Sequence, residues 1–289
     1  MNYTIQTNIK AQKNLRESFF NLAIKTFDLS FTNWYENGYW SENYIPYGIF
    51  DDKKILSNVS VNIIDTIWQG VSKRYIQIGT VMTDIEYRNK GLAKQLINYI
   101  IEQWKNSCDC IYLFANDSVL DFYPKFGFSK AIEHQYIMSI VPKPEKLKKL
   151  DMTDDKDIAI LKQYYLKSNP FSALPMINNF GLIMFYCSSF LQNCVYYCEA
   201  FDAVVIISQE DKKLICYDIF CDNNKSMNNI LSAIVNNETN NVILQFTPKN
   251  VSNSTPVVLN EPNNTLFILK NTDNIFKDTK TMFPFLSHA

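Results

Sequence analysis

Two short stretches of this chain hold residue types and spacings that can do chemistry. The first is Ile78-Gly-Thr-Val-Met-Thr-Asp-Ile-Glu-Tyr-Arg-Asn-Lys-Gly-Leu-Ala93, which feeds directly into a helical pattern. It reads as a strand, a turn through Arg88 to Ala93, and a helix start. Amides at a helix start have no partners inside the helix, and the helix dipole favours negative charge there. A diphosphate can take those amides where small residues let it come close. Gly91 and Ala93 supply that room, and Arg88 adds positive charge. Alone, R-x-x-G-x-A is short enough to be an ordinary strand-to-helix loop. It lacks the Gly-Lys-Ser/Thr of a Walker loop and has too few glycines for a dinucleotide fingerprint.

The second stretch, Asn116-Asp-Ser-Val-Leu-Asp-Phe-Tyr-Pro-Lys-Phe-Gly-Phe128, follows a strand that ends at Ala115. Tyr123 is its distinctive residue. A phenol with a pKa near ~10 stays protonated at neutral pH and can donate to a departing anion. The competing reading is a core aromatic between Phe122 and Phe126.

Together, and in this order, the two stretches resemble the GNAT superfamily of N-acetyltransferases over roughly Asn14 to Val141. The resemblance implies an α/β fold with a mixed central sheet flanked by helices. It implies that the backbone of Val81, Met82 and Thr83 pairs with the pantetheine arm of acetyl-CoA. Arg88, Asn89, Lys90, Gly91, Leu92, Ala93 and Lys94 then correspond to the diphosphate loop. Asn116 corresponds to the asparagine that hydrogen-bonds pantetheine, and Tyr123 to the tyrosine that protonates the departing thiolate. The implied reaction is direct attack by a primary amine, on a small molecule or peptide, upon the thioester of acetyl-CoA.

Acyl transfer to an amine needs a neutral nucleophile, a polarised carbonyl and a proton for sulfur, but no metal and no covalent enzyme intermediate. The run Tyr75-Ile-Gln-Ile-Gly-Thr80 offers no carboxylate as base. Glu36, Glu42, Glu133 and His134 read as surface or structural residues. A water relay, or an amine already neutral on binding, serves as well. The rival reading, from another class, is a CoA-binding sensor or scaffold without turnover.

The elements that must position these residues follow from hydrophobic periodicity. Asn14 to Phe27 reads as a helix. An aromatic stretch from Trp34 to Tyr47 follows, suited to packing or to lining a cationic acceptor's pocket. Gly48 to Phe50, Ile55 to Ile67 and Tyr75 to Met82 read as strands. Gly91 to Lys105 is an amphipathic helix, Cys110 to Ala115 a strand, and Ser118 to Phe126 a short helix stopped by Gly127. Ala131 to Val141 is expected to close the unit as a strand. Val141-Pro-Lys-Pro-Glu-Lys-Leu-Lys-Lys reads as a linker, dividing an acetyl-CoA-binding domain (1–141) from a second domain (142–289).

Beyond the linker, strands at Cys194 to Phe201, Val204 to Ser208 and Leu214 to Phe220, a helix capped by Ser226, and strands at Val242 to Phe246 and Thr265 to Leu269 repeat the order without the chemistry. Cys221-Asp-Asn-Asn-Lys-Ser226 stands where the phosphate loop would be, with acidic Asp222. This outline resembles the tandem acetyltransferases of the enhanced-intracellular-survival type, which act on aminoglycosides and other amines. Those carry a further C-terminal domain for which this chain is too short. Their use of a terminal carboxylate is therefore not carried over to Ala289.

Composition excludes other classes. Among 289 residues, 28 basic face 29 acidic ones, with no basic surplus for nucleic acid. Lys10, Lys13, Arg16 and Glu17 interrupt the N-terminus, so it does not read as a signal peptide. The apolar run Gly181 to Leu191 is too short to span a bilayer. The expectation is a cytoplasmic protein away from membranes. Seven cysteines occur without a C-x-x-C pair and with only His134 and His288 as imidazoles, so core thiols are expected rather than a metal site.

Overall fold

The computed structural model describes residues 3–289. Its elements in chain order are β1 (Thr4–Gln6), α1 (Lys13–Phe27), α2 (Thr32–Glu36), β2 (Tyr44–Asp51), β3 (Lys54–Trp68), β4 (Val71–Thr83), α3 (Leu92–Trp104), β5 (Cys110–Ala115), β6 (Phe128–Lys130), β7 (His134–Ser139) and β8 (Leu147–Lys149). There follow α4 (Asp155–Tyr165), β9 (Met176–Ile177), α5 (Phe180–Cys187), β10 (Val195–Cys198), β11 (Ala203–Glu210), β12 (Lys213–Phe220), α6 (Met227–Ile234), β13 (Asn241–Leu244), β14 (Thr255–Val258) and β15 (Thr265–Leu269).

Strand alternation decides what each face of the first sheet holds. Ile76 and Ile78 of β4, with Ile111 and Leu113 of β5, bury against Leu92, Leu96, Ile97 and Ile100 of α3. Tyr75 and Tyr112 point the other way and pack on Phe283 from the end of the chain. Leu15, Phe19, Leu22 and Ala23 give α1 one buried stripe, joined by Phe31, Trp34, Trp40 and Tyr44. Most of the Trp34–Tyr47 aromatics thus do packing work. Trp34 and Trp40 stack at 5.8 Å, and their ring N–H groups donate to Gly181 O (2.6 Å) and Tyr44 O (2.9 Å).

The first sheet runs β1-β2-β3-β4-β5-β15-β6, with β9 added on β3; the second runs β14-β7-β13-β12-β11-β10-β8. Both are mixed, and each holds one parallel pair, β4 with β5 and β12 with β13, so the chain forms two similar halves. The halves exchange strands. β7 pairs with β13 and β14, whereas β15 inserts between β5 and β6. The strand expected to close the first unit over 131–141 therefore leaves it, and a strand assigned to the second half takes its place. Alternation dictates that such segments become strands; it does not say which edge they join. The linker after Val141 is pinned to the end of α6 by Lys143 N–H to Ser232 O and Glu145 N–H to Ala233 O, both 2.9 Å.

A second correction concerns 118–126. It is not a helix but two 3-10 turns, Asp117–Val119 and Tyr123–Phe126, the latter ending at Gly127 with φ 91°. Pro124 contributes no N–H, so a continuous helix would lose bonds in its interior. Among the described residues no helix is long and apolar enough to cross a membrane.

Candidate active site

A wedge opens between β4 and β5. Their parallel ladder runs from Tyr75↔Cys110 to Ile78↔Leu113 and stops there. β4 continues to Thr83 against β3 alone, while Phe114 and Ala115 continue against β15 alone. The cause is a bulge. The β3–β4 register shifts between Asn58 and Ser60, and Thr80 takes φ 47°. A β-branched residue at positive φ is strained, and such strain persists where neighbours hold it. Here Asn58 Nδ2 donates to Thr80 O at 3.0 Å, and the Tyr44 and Thr80 hydroxyls lie 2.8 Å apart. Val81, Met82 and Thr83 form the rim beyond the bulge. Met82 is buried under α1, and the Thr83 hydroxyl lies 2.9 Å from Ser57 Oγ.

The loop into α3 is ordered from within. Asp84 accepts from Glu86 N–H at 3.1 Å and pairs with Lys54 at 3.1 Å. Arg88 Nε donates to Thr83 O at 3.3 Å, tying the loop to the wedge. The Lys90 ammonium lies 4.4 Å from the Tyr87 ring centroid. Asn89 (φ 61°) and Gly91 (φ 78°) make the left-handed turn that admits the helix. Gly91 is the N-cap, no side chain caps the helix, and its first turn has no acid. The first amides of α3, at Leu92, Ala93 and Lys94, are left without an intrahelical partner. A Cβ added at Gly91 would meet nothing within 4 Å. Leu92 buries its side chain in the core, so only its backbone faces the loop. Lys94 is exposed.

Asn116 ends β5, exposed, and its side-chain amide makes no hydrogen bond among the described residues. Tyr123 is 5% exposed and packs on Phe122, Phe128 and Phe267. Burial pushes its pKa up to about 12. Its hydroxyl has no protein partner, yet it is not among the sealed polar atoms. Tyr123 and Leu92 belong to one hydrophobic cluster, with Val81 packed against it, whereas Met82 belongs to the cluster under α1.

The residues weighed as bases lie elsewhere. Glu42 is exposed and paired with Lys10 at 2.6 Å, and Glu36 is exposed. Glu133 and His134 belong to the strand exchange. The Glu133 carboxyl accepts from Phe283 N–H at 2.8 Å, and burial raises its pKa to about 8. All seven cysteines are free, and no metal-binding group occurs among the described residues.

The sequence reading missed the other side of the wedge. A cavity of about 50 Å³ abuts the bulge, lined by Phe31, Trp34, Tyr44, Asn62 and Thr80 together with Ala289. The Ala289 carbonyl accepts from Gln77 Nε2 at 3.3 Å, and any Cβ on Gly79 would collide with it. Gly79 was the one available signal, because a strand glycine marks a close backbone approach. The larger hollows are open grooves on the second half or between the halves, away from this chemistry.

Residues 9–131 match the model of the acetyltransferase (GNAT) domain. Solved structures align with nearly the whole chain. A probable N-acyltransferase from Enterococcus faecalis V583 is 15% identical with a TM-score of 0.62, over 93% of this chain and 72% of that one. A GCN5-related N-acetyltransferase from Anabaena variabilis is 14% identical with a TM-score of 0.58, over 92% and 72%. Eis1 from Mycobacterium abscessus is 11% identical with a TM-score of 0.55, over 92% and 73%. At these identities the likeness is one of fold. No curated protein matches the sequence. Residues 9–131 are thus similar to the GNAT acetyltransferase domain, and the chain as a whole takes the fold of the solved structures it aligns with.

Proposed function

We propose that this protein moves the acetyl group of acetyl-CoA to a primary amine by direct attack, in the cytoplasm, with the first half doing the chemistry. The observation that carries the reading is the open wedge ending at an uncapped helix. Five features fit acetyl-CoA there: the free α3 amides, the empty space over Gly91, the cation Arg88, the splayed edge Val81 to Thr83, and the unpaired amide of Asn116. The diphosphate is matched to the amides and the pantetheine arm to the strand edge.

In the reaction the amine nitrogen bonds to the thioester carbonyl carbon and the C–S bond breaks. Tyr123 gives its hydroxyl proton to the leaving sulfur, and the proton released by the amine makes good that loss. A phenol held near pKa 12 by burial stays protonated across the neutral range, which suits an acid. The second reading, CoA binding without turnover, draws on one observation: no Asp or Glu side chain lines the cavity.

Acetyl-CoA should raise the melting temperature, and CoA should be released when an amine is added. No melting shift at millimolar acetyl-CoA removes the assignment; a shift without release on any amine favours the sensor.

A further inference from the structure

The β3–β4 bulge carries an inference about what keeps the wedge open, and that inference rests on the acetyltransferase reading above. Asn58 lies opposite Met82 and Ser60 opposite Gly79, so Thr80 and Val81 face Val59 alone. The extra residue reverses the alternation of β4. Gly79 abuts Ala289 on one face, yet Val81 packs toward α3 and Met82 buries under α1. The rim Val81 to Thr83 therefore has the orientation that the bulge imposes.

Thr80 is the wrong residue type for this turn unless something holds it. Its φ is 47°, where a β-branched residue is strained and a glycine is not. Side chains of β2 and β3 hold it. Asn58 is fully buried and donates from Nδ2 to Thr80 O at 3.0 Å and to Ser60 Oγ at 2.9 Å. A carbonyl only accepts, which fixes the orientation of the Asn58 amide. The Thr80 hydroxyl meets that of Tyr44 at 2.8 Å. Asn58 is a poor choice for stability alone. Its Oδ1 is sealed and has no partner, and that desolvation cost offsets the bonds its nitrogen makes.

We propose that Asn58 is a positioning residue for acetyl-CoA. It clamps the Thr80 carbonyl, keeps the bulge in its left-handed turn, and so presents Val81 to Thr83 to the pantetheine arm. Being fully buried, it touches neither acetyl-CoA nor the amine.

The test is a double-mutant cycle on the full chain, read by calorimetric titration with acetyl-CoA, by melting and by hydrogen exchange over 79–83. Asn58→Leu should weaken acetyl-CoA binding about tenfold, the worth of roughly one hydrogen bond. Exchange over 79–83 should quicken, while the melting temperature of the free protein moves little. In a Thr80→Gly background the same substitution should cost less than about threefold, because glycine takes a positive φ without a clamp. A merely structural asparagine predicts the reverse: a lower melting temperature, an unchanged Kd and no relief from Thr80→Gly. An unchanged Kd in Asn58→Leu overturns the inference, and so does an equal loss in both backgrounds. Asn58→Ser, polar but too short to hold both partners, carries the same expectations if the leucine variant does not fold. Wild type that takes up no acetyl-CoA removes the acetyltransferase reading and the positioning role with it. Normal wild-type binding with an unchanged variant Kd removes the positioning role alone.

Discussion

The two halves build the same wedge and treat it oppositely. In the first, β4 and β5 pair in parallel over four residues and separate, with α3 between them in sequence. In the second, β12 and β13 pair in parallel from Lys213↔Asn241 to Cys216↔Leu244, with α6 between, and β12 then runs on to Phe220 against β11 alone. The first wedge is left open. The second is filled by the chain's own end: Phe285 N–H donates to Gln245 O at 2.9 Å, and its ring lies 5.2 Å from that of Tyr217. The helix starts differ too. α3 begins at a glycine with free amides, whereas Ser226 caps α6 by accepting from Asn229 N–H. Asp222, in the loop before α6, pairs with Lys167. A binding wedge is thus not a property of the β-α-β unit but of what is withheld from it: a cap, an acid and a plug. The segment that plugs one wedge goes on to deliver Ala289 to the cavity of the other.

The largest expected effect breaks the comparison at its chemistry. Tyr123→Phe removes one hydroxyl that bonds nothing in the protein, so packing and acetyl-CoA binding should hold. Loss of a positioned acid costs on the order of 10²–10⁴ in rate, about 3–5 kcal/mol of barrier. It should appear in kcat with KM for acetyl-CoA little changed. With its pKa raised to about 12, Tyr123 should leave no alkaline limb in the rate profile below that range. Unchanged turnover in a stable variant would take Tyr123 out of the mechanism.

Next in size is the phosphate loop. Gly91→Val forces a β-branched residue to φ 78° and fills the space over the helix start. Ligand at 100 times its Kd adds about 2.7 kcal/mol to stability. That gain should vanish in the variant, and calorimetry on wild type should find one acetyl-CoA per chain. A stoichiometry of two would mean the filled wedge opens.

Much of this was legible in the residues. β5 has the bounds read from its hydrophobic run, and α3 begins within one residue of the expected position, because a 3.6-residue stripe entered through a left-handed glycine has few other ways to fold. Loop and tyrosine stand out in the sequence because local chemistry and local pattern coincide there. The strand exchange was not found. Glu133 and Thr265 lie in segments whose partners are set by tertiary contacts more than a hundred residues away in sequence. Nor was Ala289, whose role depends on the path of the whole C-terminal segment. A cut at Val141, natural on the linker pattern, would strip β15 from the first sheet and expose the edges of β5 and β6.

The exchange itself gives a pH test. Glu133 joins β7 to the tail through Phe283, and burial raises its pKa from 4.5 to about 8. The folded state therefore holds this proton more tightly than the unfolded one. Its contribution is fully present below about 4.5 and is lost as pH rises toward about 8. Glu133→Gln keeps an oxygen for Phe283 N–H and removes the titration. Relative to wild type it should gain about 1.4 kcal/mol for each pH unit crossed inside that window. Parallel melting curves across the window would show Glu133 ionising as freely as in the unfolded chain.

The smallest effect sharpens the contrast most. Ser226→Ala removes the cap of α6, a bond of 3.4 Å at an exposed helix start, and should cost about 0.5–1 kcal/mol. That is a drop in melting temperature of roughly 1–2 °C for a chain of this size. It leaves the freed amides where the second half's counterpart of the phosphate loop would be. Asp222 still stands near them and Phe285 still fills the wedge. The acetyl-CoA melting shift should therefore keep its full size and its single site. Freed amides alone do not make a phosphate site when the approach to them is occupied. A second acetyl-CoA site appearing in Ser226→Ala would show instead that the cap was all that separated the two halves.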